Sequence, residues 1–113
     1  METAKTIILK RKLRVVDCDF NCLWRLASIL SCAQDIHADV NLLYQVDRDR
    51  LGELGLGWVI YRHRLCLKSC PSLNQTLVLT GSLGRPEGRK FPRYMKIADE
   101  QGKILGLMTS YWV

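Results

Sequence analysis

The chain has 113 residues, enough for one domain with a hydrophobic core but not for two. Apolar residues make up 48% and charged residues 25%, as in an ordinary folded domain. No apolar run approaches the roughly 20 residues that span a bilayer. The amino-terminal sequence METAKTIILKRKLR has only a short apolar patch between charges, which argues against a signal peptide. We therefore predict a single domain, residues 1–113, without a membrane segment and located in the cytoplasm.

The net charge of +6 is concentrated in two basic clusters. The amino-terminal cluster contains Lys5, Lys10, Arg11, Lys12 and Arg14, against Glu2. The second cluster contains Arg85, Arg89, Lys90, Arg93 and Lys96, against Glu87. Such clusters suit a polyanionic partner, although a solvated basic surface explains them equally well. Neither interleaved aromatic residues nor a known module accompanies them, so nucleic acid is a disfavoured partner.

The five cysteines include two pairs with three residues between them. The pairs are Cys18/Cys22 and Cys66/Cys70, and Cys32 stands alone. Structural zinc sites usually pair cysteines two residues apart, so this spacing is marginal for a metal. We therefore expect no metal site, and reduced thiols as in a cytosolic protein.

The first predicted strand covers residues 6–16 and carries charges through its middle, which favours a sheet edge. Asp17, Asp19 and Asn21 follow it. These residue types form turns and cap helices, and we expect that role for them more than catalysis.

Residues 23–40 are the one segment long and periodic enough for a substantial helix. A stripe of residues recurs at steps of three and four: Leu23, Leu26, Leu30, Ala33, His37 and Val40. We expect His37, on that stripe, to be a core histidine with its hydrogen bonds satisfied. Trp24 is expected on the less apolar side of the helix. Asp35 points away from the stripe, next to Gln34, and is either a general base or a solvated acid.

The rest of the chain is predicted to form a sheet. A short helix is expected within residues 46–54, and strands at 58–68, 75–83, 91–98 and 103–113. Residues 99–102 are predicted to form a hairpin turn, with Gly102 at the position that requires a positive φ. The order is one strand, a long helix, then four strands in antiparallel succession. This predicts the α+β hot-dog architecture: a long central helix wrapped by a mainly antiparallel five- or six-stranded sheet.

Several motifs resemble the amino-terminal hot-dog half of acyl-acyl-carrier-protein thioesterases. They are Trp58-Val59 followed by Arg62 and Arg64, Pro71 before a strand, a basic loop leading to Arg93, Asp99 and Gly102 in a hairpin, and Ser110-x-Trp112-Val113. The helix with Gln34, Asp35 and His37 is similar to the family's helix, so the resemblance covers residues 8–113. Family members have two tandem hot-dog halves, and the resemblance implies that the family's catalytic Asn and His would lie in a second half.

The resemblance implies hydrolysis of fatty acyl thioesters carried by acyl-carrier protein or CoA, without a cofactor. The candidate catalytic residues are Asn21, Gln34 and Asp35, with Asn21-Cys22-Leu23 supplying an oxyanion site to a partner's Gln34 and Asp35. Although Asp17, Asp19 and Asn21 match part of the pattern of single hot-dog thioesterases, Cys22 and Leu23 depart from it. Leu26, Leu30 and His37 would line an acyl site. The carrier arm would meet basic residues, namely Arg62, Arg64, Arg89, Lys90 and Arg93.

Two alternatives stay open. A half without the catalytic set could bind an acyl group or carrier protein without cleaving it. A lone hot-dog also leaves an edge strand and an apolar groove exposed, which predicts a homodimer or pairing with a second hot-dog half.

Overall fold

The computed structural model describes residues 5–113; residues 1–4, including Glu2 of the amino-terminal basic cluster, lie outside it. One long helix and a five-stranded sheet form the domain. The elements are β1 (Thr6–Lys12), a 3-10 turn (Val15–Asp17), α1 (Leu26–Leu43), α2 (Arg48–Glu53), β2 (Ile60–Leu67), β3 (Thr76–Leu83), β4 (Phe91–Asp99) and β5 (Ile104–Trp112). The predicted α+β hot-dog architecture is confirmed.

The sheet is antiparallel in the order β1-β3-β4-β5-β2. β1 lies at an edge, as its charges predict. β2 pairs with β5 at the opposite edge, so the expected simple succession of the last four strands is wrong. Gly102 has φ +86 in the turn between β4 and β5, which confirms the predicted hairpin.

The helix α1 packs mainly on β3, β1 and β4. It approaches β3 most closely at Gly81, where a Cβ would lie 2.8 Å from Ile36 Cγ1. The helix face that is buried carries Ile29, Cys32, Ala33, Ile36, His37 and Val40. Leu26, by contrast, is 60% exposed, so its assignment to the covered stripe is wrong. Leu26 is the first residue of α1, and burial on its side of the helix begins one turn later at Ile29, which belongs to the core.

The helix begins at Leu26 rather than at residue 23. Trp24 precedes it in extended backbone, bridges to Cys18, and is 3% exposed, which corrects its expected place on the helix surface. The Trp24 N–H donates to the Pro71 carbonyl oxygen at 2.9 Å, a tertiary contact that holds the residue out of the helix.

Asp17, one of the predicted capping residues, does not cap α1 but accepts hydrogen bonds around the turn that precedes it. Asp17 is buried and its carboxylate accepts hydrogen bonds from Arg11 Nη2 at 2.8 Å, the Arg14 N–H at 3.0 Å and Ser28 Oγ at 2.7 Å. The Asp17 carboxylate therefore joins β1, the 3-10 turn and the first turn of α1. No helix within residues 5–113 has the length and apolar character needed to cross a membrane.

Candidate functional site

The turn before α1 contains Asn21, the first candidate catalytic residue. Asn21 is exposed, and its N–H donates to Asp19 Oδ1 at 2.8 Å. The Leu23 N–H donates to the same oxygen at 3.2 Å, and the Cys22 N–H donates to the Asp19 carbonyl oxygen at 3.0 Å. An oxyanion site needs free donors. Because all three N–H groups already have acceptors, the expectation that residues 21–23 form that site is wrong.

The amino terminus of α1 lies three residues further along and is open. Arg25 occupies the N-cap position without a side-chain cap, and the first turn contains no acidic residue. Instead, Arg25 Nε donates to the Val16 carbonyl oxygen at 2.8 Å. Leu26 and Ala27 at the start of the helix are exposed. The first N–H groups of a helix have no intrahelical acceptor, so this terminus can receive a carbonyl oxygen.

Gln34 and Asp35 lie on the solvent face of α1, where both are exposed. Asp35 lies nine positions after Leu26, which is about 13 Å along a helix. A water activated by Asp35 therefore cannot attack a carbonyl held at the start of the same helix. The structure does not bring the candidate catalytic residues together within one chain.

Four of the five predicted basic contact residues are exposed: Arg62 and Arg64 on β2, and Arg89 and Lys90 in the loop before β4. Lys90 Nζ lies 5.3 Å from the centre of the Tyr61 ring on β2. The loop and the edge strand therefore meet and form one basic surface.

Arg93, the fifth residue, lies in the interior. Its side chain is on β4, 3% exposed, and its Nη2 donates to Asn41 Oδ1 at 3.0 Å. The guanidinium carbon lies 4.8 Å from the centre of the Trp58 ring and 5.6 Å from that of Trp112. The assignment of Arg93 to an exposed basic rim is wrong. Burial lowers the pKa of Arg93 to about 10, which leaves the guanidinium charged at neutral pH.

A cavity of about 430 Å³ opens beside this arginine. Asn41, Trp58 and Trp112, which contact Arg93, also line the cavity, whereas Arg93 itself does not. The remaining lining residues come from α1 and from the segment around α2, namely Ala38, Leu42, Asp47, Arg48, Asp49 and Gly57. Its volume falls within the range of small-molecule pockets.

Sequence reasoning missed this cavity, although one signal pointed to it. Alternate residues of a strand share a face, so Arg93 belongs with Met95 and Ile97, both fully buried. The alternation places Arg93 inside, whereas its charge suggested the surface. Asn41 follows Val40 and lies one turn after His37, which also places it on the covered face of α1.

His37 lies next to this cluster and is fully buried. Its ring meets that of Trp112 edge-on, with centres 6.1 Å apart. Neither ring nitrogen has a hydrogen-bond partner among residues 5–113, so the expected satisfied core histidine is buried but not satisfied. Burial, reinforced by the positive charges of Arg93 and His63, lowers the pKa of His37 to about 4. The ring is therefore neutral at pH 7.

A second histidine lies on the edge strand. His63 Nδ1 is 2.7 Å from Ser110 Oγ, across the β2–β5 pair, and Ser110 is fully buried. Partial burial lowers the pKa of His63. Because the hydroxyl has no exposed surface, the pair is a cross-strand contact rather than an accessible nucleophile and base.

All five cysteines are free thiols. Within residues 5–113, the structure contains no group of three or more histidine, cysteine or acidic side chains placed to hold a metal ion.

Comparison with solved structures gives the same fold at low sequence identity. An acyl-ACP thioesterase from Bacteroides thetaiotaomicron matches with a TM-score of 0.90 at 16% identity, over 96% of this chain and 44% of that one. An oleoyl thioesterase from Lactobacillus plantarum matches with a TM-score of 0.84 at 20% identity, over 97% of this chain and 43% of that one. The chain therefore spans less than half the length of these two proteins.

A shorter Staphylococcus aureus protein, solved in complex with CoA, matches with a TM-score of 0.85 at 11% identity, over 100% of this chain and 72% of that one. No curated protein sequence matches the chain.

A family model gives the more specific result. The model of the acyl-ACP thioesterase N-terminal domain matches residues 7–113, nearly the whole chain. Together with the helix and antiparallel sheet, this match shows that the chain belongs to the acyl-ACP thioesterase family, as the family's N-terminal hot-dog domain.

Proposed function

We propose that the chain is a hot-dog domain of an acyl thioesterase that hydrolyses fatty acyl thioesters of acyl-carrier protein or CoA to free fatty acids. The observation that carries this proposal is the family match over residues 7–113. The fold adds support, since the thioesterase structures described above share it.

The open amino terminus of α1 is the best place for the thioester carbonyl. Hydrolysis passes through a tetrahedral intermediate whose oxyanion needs preorganised donors. The N–H groups of Leu26 and Ala27 meet this need, because no side chain caps the helix and the nearby Asp17 carboxylate accepts from Ser28 Oγ, Arg11 and the Arg14 N–H instead. They replace residues 21–23, whose N–H groups are engaged by Asp19.

Asp35 is the proposed general base and Gln34 positions the water, with Asn21 as a further polar group at the rim. About 13 Å of helix separates Asp35 from the carbonyl site of its own chain. A complete site therefore needs two units, with the helix start of one facing Asp35 of the other. The second unit is either a second copy or a second hot-dog half.

The edge strand β2 supports such pairing. It lies at the edge of the sheet with one side unpaired. Tyr61 on this strand is 48% exposed, and Val59 just before it is 63% exposed. An open edge with apolar neighbours invites pairing with another strand.

The exposed basic surface, defined as Arg62, Arg64, Arg89 and Lys90, is the proposed contact for the carrier. Phosphopantetheine bears a phosphate, and acyl-carrier proteins are acidic, so complementary charge would favour their encounter. Leu26 and Leu30 would line the acyl chain where α1 meets the second unit. Because His37 is fully buried, it would support the acyl site only from the core side of α1.

We also propose that this reaction takes place in the cytoplasm as part of fatty acid biosynthesis, which five free thiols support. Fractionation of cells that produce the protein would test the location. Recovery in an exported fraction would contradict it.

Thiol release from acyl-carrier-protein and acyl-CoA substrates tests the function. We expect release by the wild-type chain and a loss of about 100-fold or more in kcat for Asp35→Asn, the usual scale of general-base catalysis. Asp39→Asn, which changes another exposed acid on α1, is the matched control and should keep wild-type turnover. Binding without thiol release would instead assign the chain the non-catalytic role of an acyl or carrier-protein binding domain.

A further inference from the structure

The sheet has an outer face, on the side opposite α1, that the thioester site at the start of α1 does not use. Residues paired across an antiparallel sheet point to the same side, and alternate residues of a strand share a face. Leu79 and Ile97, which are paired and fully buried, mark the inner side. One row of neighbouring outward residues therefore crosses all five strands: Ile8, Thr80, Lys96, Leu107 and Cys66. Such a row spans about 19 Å at the usual spacing between strands.

The charge on this outer face is entirely positive among the residues that the structure describes. Its outward positions hold no acid but five exposed cations: Lys10, Lys12, Arg62, Arg64 and Lys96. The one acid within the described strands, Asp99, is paired with the inward Leu77. The loops at the two ends of β4 add more cations than acids: Arg85, Arg89, Lys90 and Lys103 against Glu87 and Glu100. The face therefore suits a broad anionic partner.

Exposed aliphatic side chains lie among these cations. Ile8 is 66% exposed, Leu107 42% and Ile104 39%. Leu107 is the partner of Lys96 across β4 and β5, and Ile8 precedes Lys10 by one outward position on β1. Aliphatic groups gain free energy when they leave water, so they favour a partner that offers an apolar phase as well as negative charge. The headgroup region of an anionic bilayer offers both.

Single-stranded nucleic acid fits this face less well. It binds to aromatic rings that are open for stacking with bases. Tyr94 points outward on β4, but it is half-buried against Gly84, where a Cβ would lie 2.5 Å from Tyr94 Cε2. Tyr111 packs with Tyr61, with ring centres 6.1 Å apart. Neither ring is a free platform for a base.

An acidic carrier protein also leaves part of the face unexplained. The proposed carrier contact, the exposed basic surface, includes Arg62 and Arg64 on β2, at one edge of the sheet. Ile8 and Lys10 lie on β1, at the other edge. A partner that covers both edges is as broad as the sheet itself, which a flat lipid surface is.

We propose that the outer face of the sheet binds an anionic lipid surface. Lys10 and Lys96 meet the headgroups, and the exposed aliphatic side chains reach the boundary between headgroups and acyl chains: Ile8, Ile104 and Leu107. The contact is peripheral, and no element of the fold enters the hydrocarbon core. It does not rest on the proposed function, since vesicle binding and thiol release are measured separately.

Co-sedimentation with vesicles tests the charge part of the proposal. We expect binding to an equimolar mixture of phosphatidylcholine and phosphatidylglycerol, and much weaker binding to phosphatidylcholine alone. Raising the salt from about 0.1 M to about 1 M should release the chain, because the Debye length falls from about 10 Å to about 3 Å. One cation near an anionic membrane is worth about fivefold in partitioning, so Lys96→Glu should weaken binding by at least about that factor.

Arg48→Glu is the matched control, since it changes the net charge by the same amount. Arg48 is exposed on α2 and lines the cavity with Asn41 of α1, on the helix side of the sheet. This variant should bind vesicles within about twofold of the wild type, because its charge lies more than a Debye length from the membrane. Equal losses in Lys96→Glu and Arg48→Glu would overturn the proposal, since net charge alone would then explain binding.

An aliphatic variant separates lipid from other polyanions. Ile8→Ser should weaken vesicle binding by about threefold or more, because it removes apolar area that leaves water on binding. Leu54→Ser, at a residue that is 73% exposed at the end of α2, should leave binding unchanged. Equal melting temperatures would show that these exposed substitutions keep the fold.

Three results would overturn the proposal besides equal losses in the charge variants. The first is equal binding, or none, to the two kinds of vesicle. The second is no effect of Ile8→Ser. The third is displacement of the chain from vesicles by single-stranded oligothymidylate, with Lys96→Glu weakening oligothymidylate binding and Ile8→Ser leaving it unchanged. That pattern would assign the face to nucleic acid.

Discussion

Ser28 Oγ donates a hydrogen bond to Asp17 Oδ1 at 2.7 Å and so joins the first turn of α1 to the turn that follows β1. The same carboxylate accepts hydrogen bonds from Arg11 and the Arg14 N–H. The start of α1, where we place the thioester carbonyl, is therefore held in position by a buried acid and not by a helix cap.

Replacing Asp17 should destabilise the domain. Asp17→Asn keeps the volume but removes the charge that three donors share, and we expect a loss of about 2–3 kcal/mol in the free energy of unfolding. Burial alone would raise the pKa of Asp17, but these hydrogen bonds outweigh it and lower the pKa from 3.8 to about 2. The stabilisation should be complete above pH 3.8 and lost as the pH falls towards 2.

Denaturant unfolding at neutral and acidic pH measures both effects. Asp39→Asn, at an exposed position of α1, should change the free energy of unfolding by no more than about 0.5 kcal/mol. Similar losses in the two variants would refute the role given to Asp17.

His37 should make stability depend on pH in a higher window. Its pKa in the folded chain is lowered to about 4, mainly by burial, from an ordinary 6.5. The unfolded chain thus takes up the proton first, and stability should fall as the pH drops from 6.5 towards 4, by up to about 1.4 kcal/mol per pH unit. His37→Leu should remove this slope. If the free energy of unfolding fell equally with falling pH in the wild type and in His37→Leu, the pH dependence assigned to His37 would be contradicted.

The contact between α1 and β3 at Gly81 should tolerate no side chain. A Cβ there would lie 2.8 Å from Ile36 Cγ1 and 3.2 Å from Val40 Cγ2. We expect Gly81→Ala to cost about 1–3 kcal/mol of stability, as overpacking of a core does. Gly52→Ala in α2 is the control, since nothing lies within 4 Å of its added methyl group, and it should be neutral or stabilising. Thermal melts that rank the two variants the other way would disprove the close approach.

Charge reversal on β2 should weaken the use of the carrier protein. Arg64→Glu lies on the exposed basic surface, and we expect an increase of about fivefold in KM for acyl-carrier-protein substrates, less at high salt. Lys12→Glu, exposed on β1 at the opposite edge of the sheet, should leave KM unchanged. Equal effects of the two reversals would show that net charge, and not this surface, governs the encounter.

The sequence allowed the fold to be predicted but not the details that need tertiary contacts. Apolar periodicity located the long helix and the strands, and the family resemblance identified their arrangement. The helix start was misplaced by three residues because Trp24 is held by Pro71 on a distant loop. Arg93 was assigned to the surface because its charge outweighed its alternation with Met95 and Ile97. The order of the sheet, with β2 paired to β5, depends on contacts that no local pattern encodes.

The most direct test of a site shared between two units is subunit mixing. Leu26→Pro removes one N–H at the first position of α1, where proline is tolerated and where the preceding Arg25 is extended with φ −82 and ψ 150. Leu26→Ala keeps the N–H and controls for the lost side chain. Leu26→Pro and Asp35→Asn should each be inactive alone.

In a symmetric dimer, a mixed pair of these two variants has both defects in one site and none in the other. Random mixing of equal amounts should therefore restore about a quarter of wild-type thiol release. No recovery, with mixed dimers shown to form by capture through a tag on one variant, would contradict a site built from the helix start of one unit and Asp35 of the other.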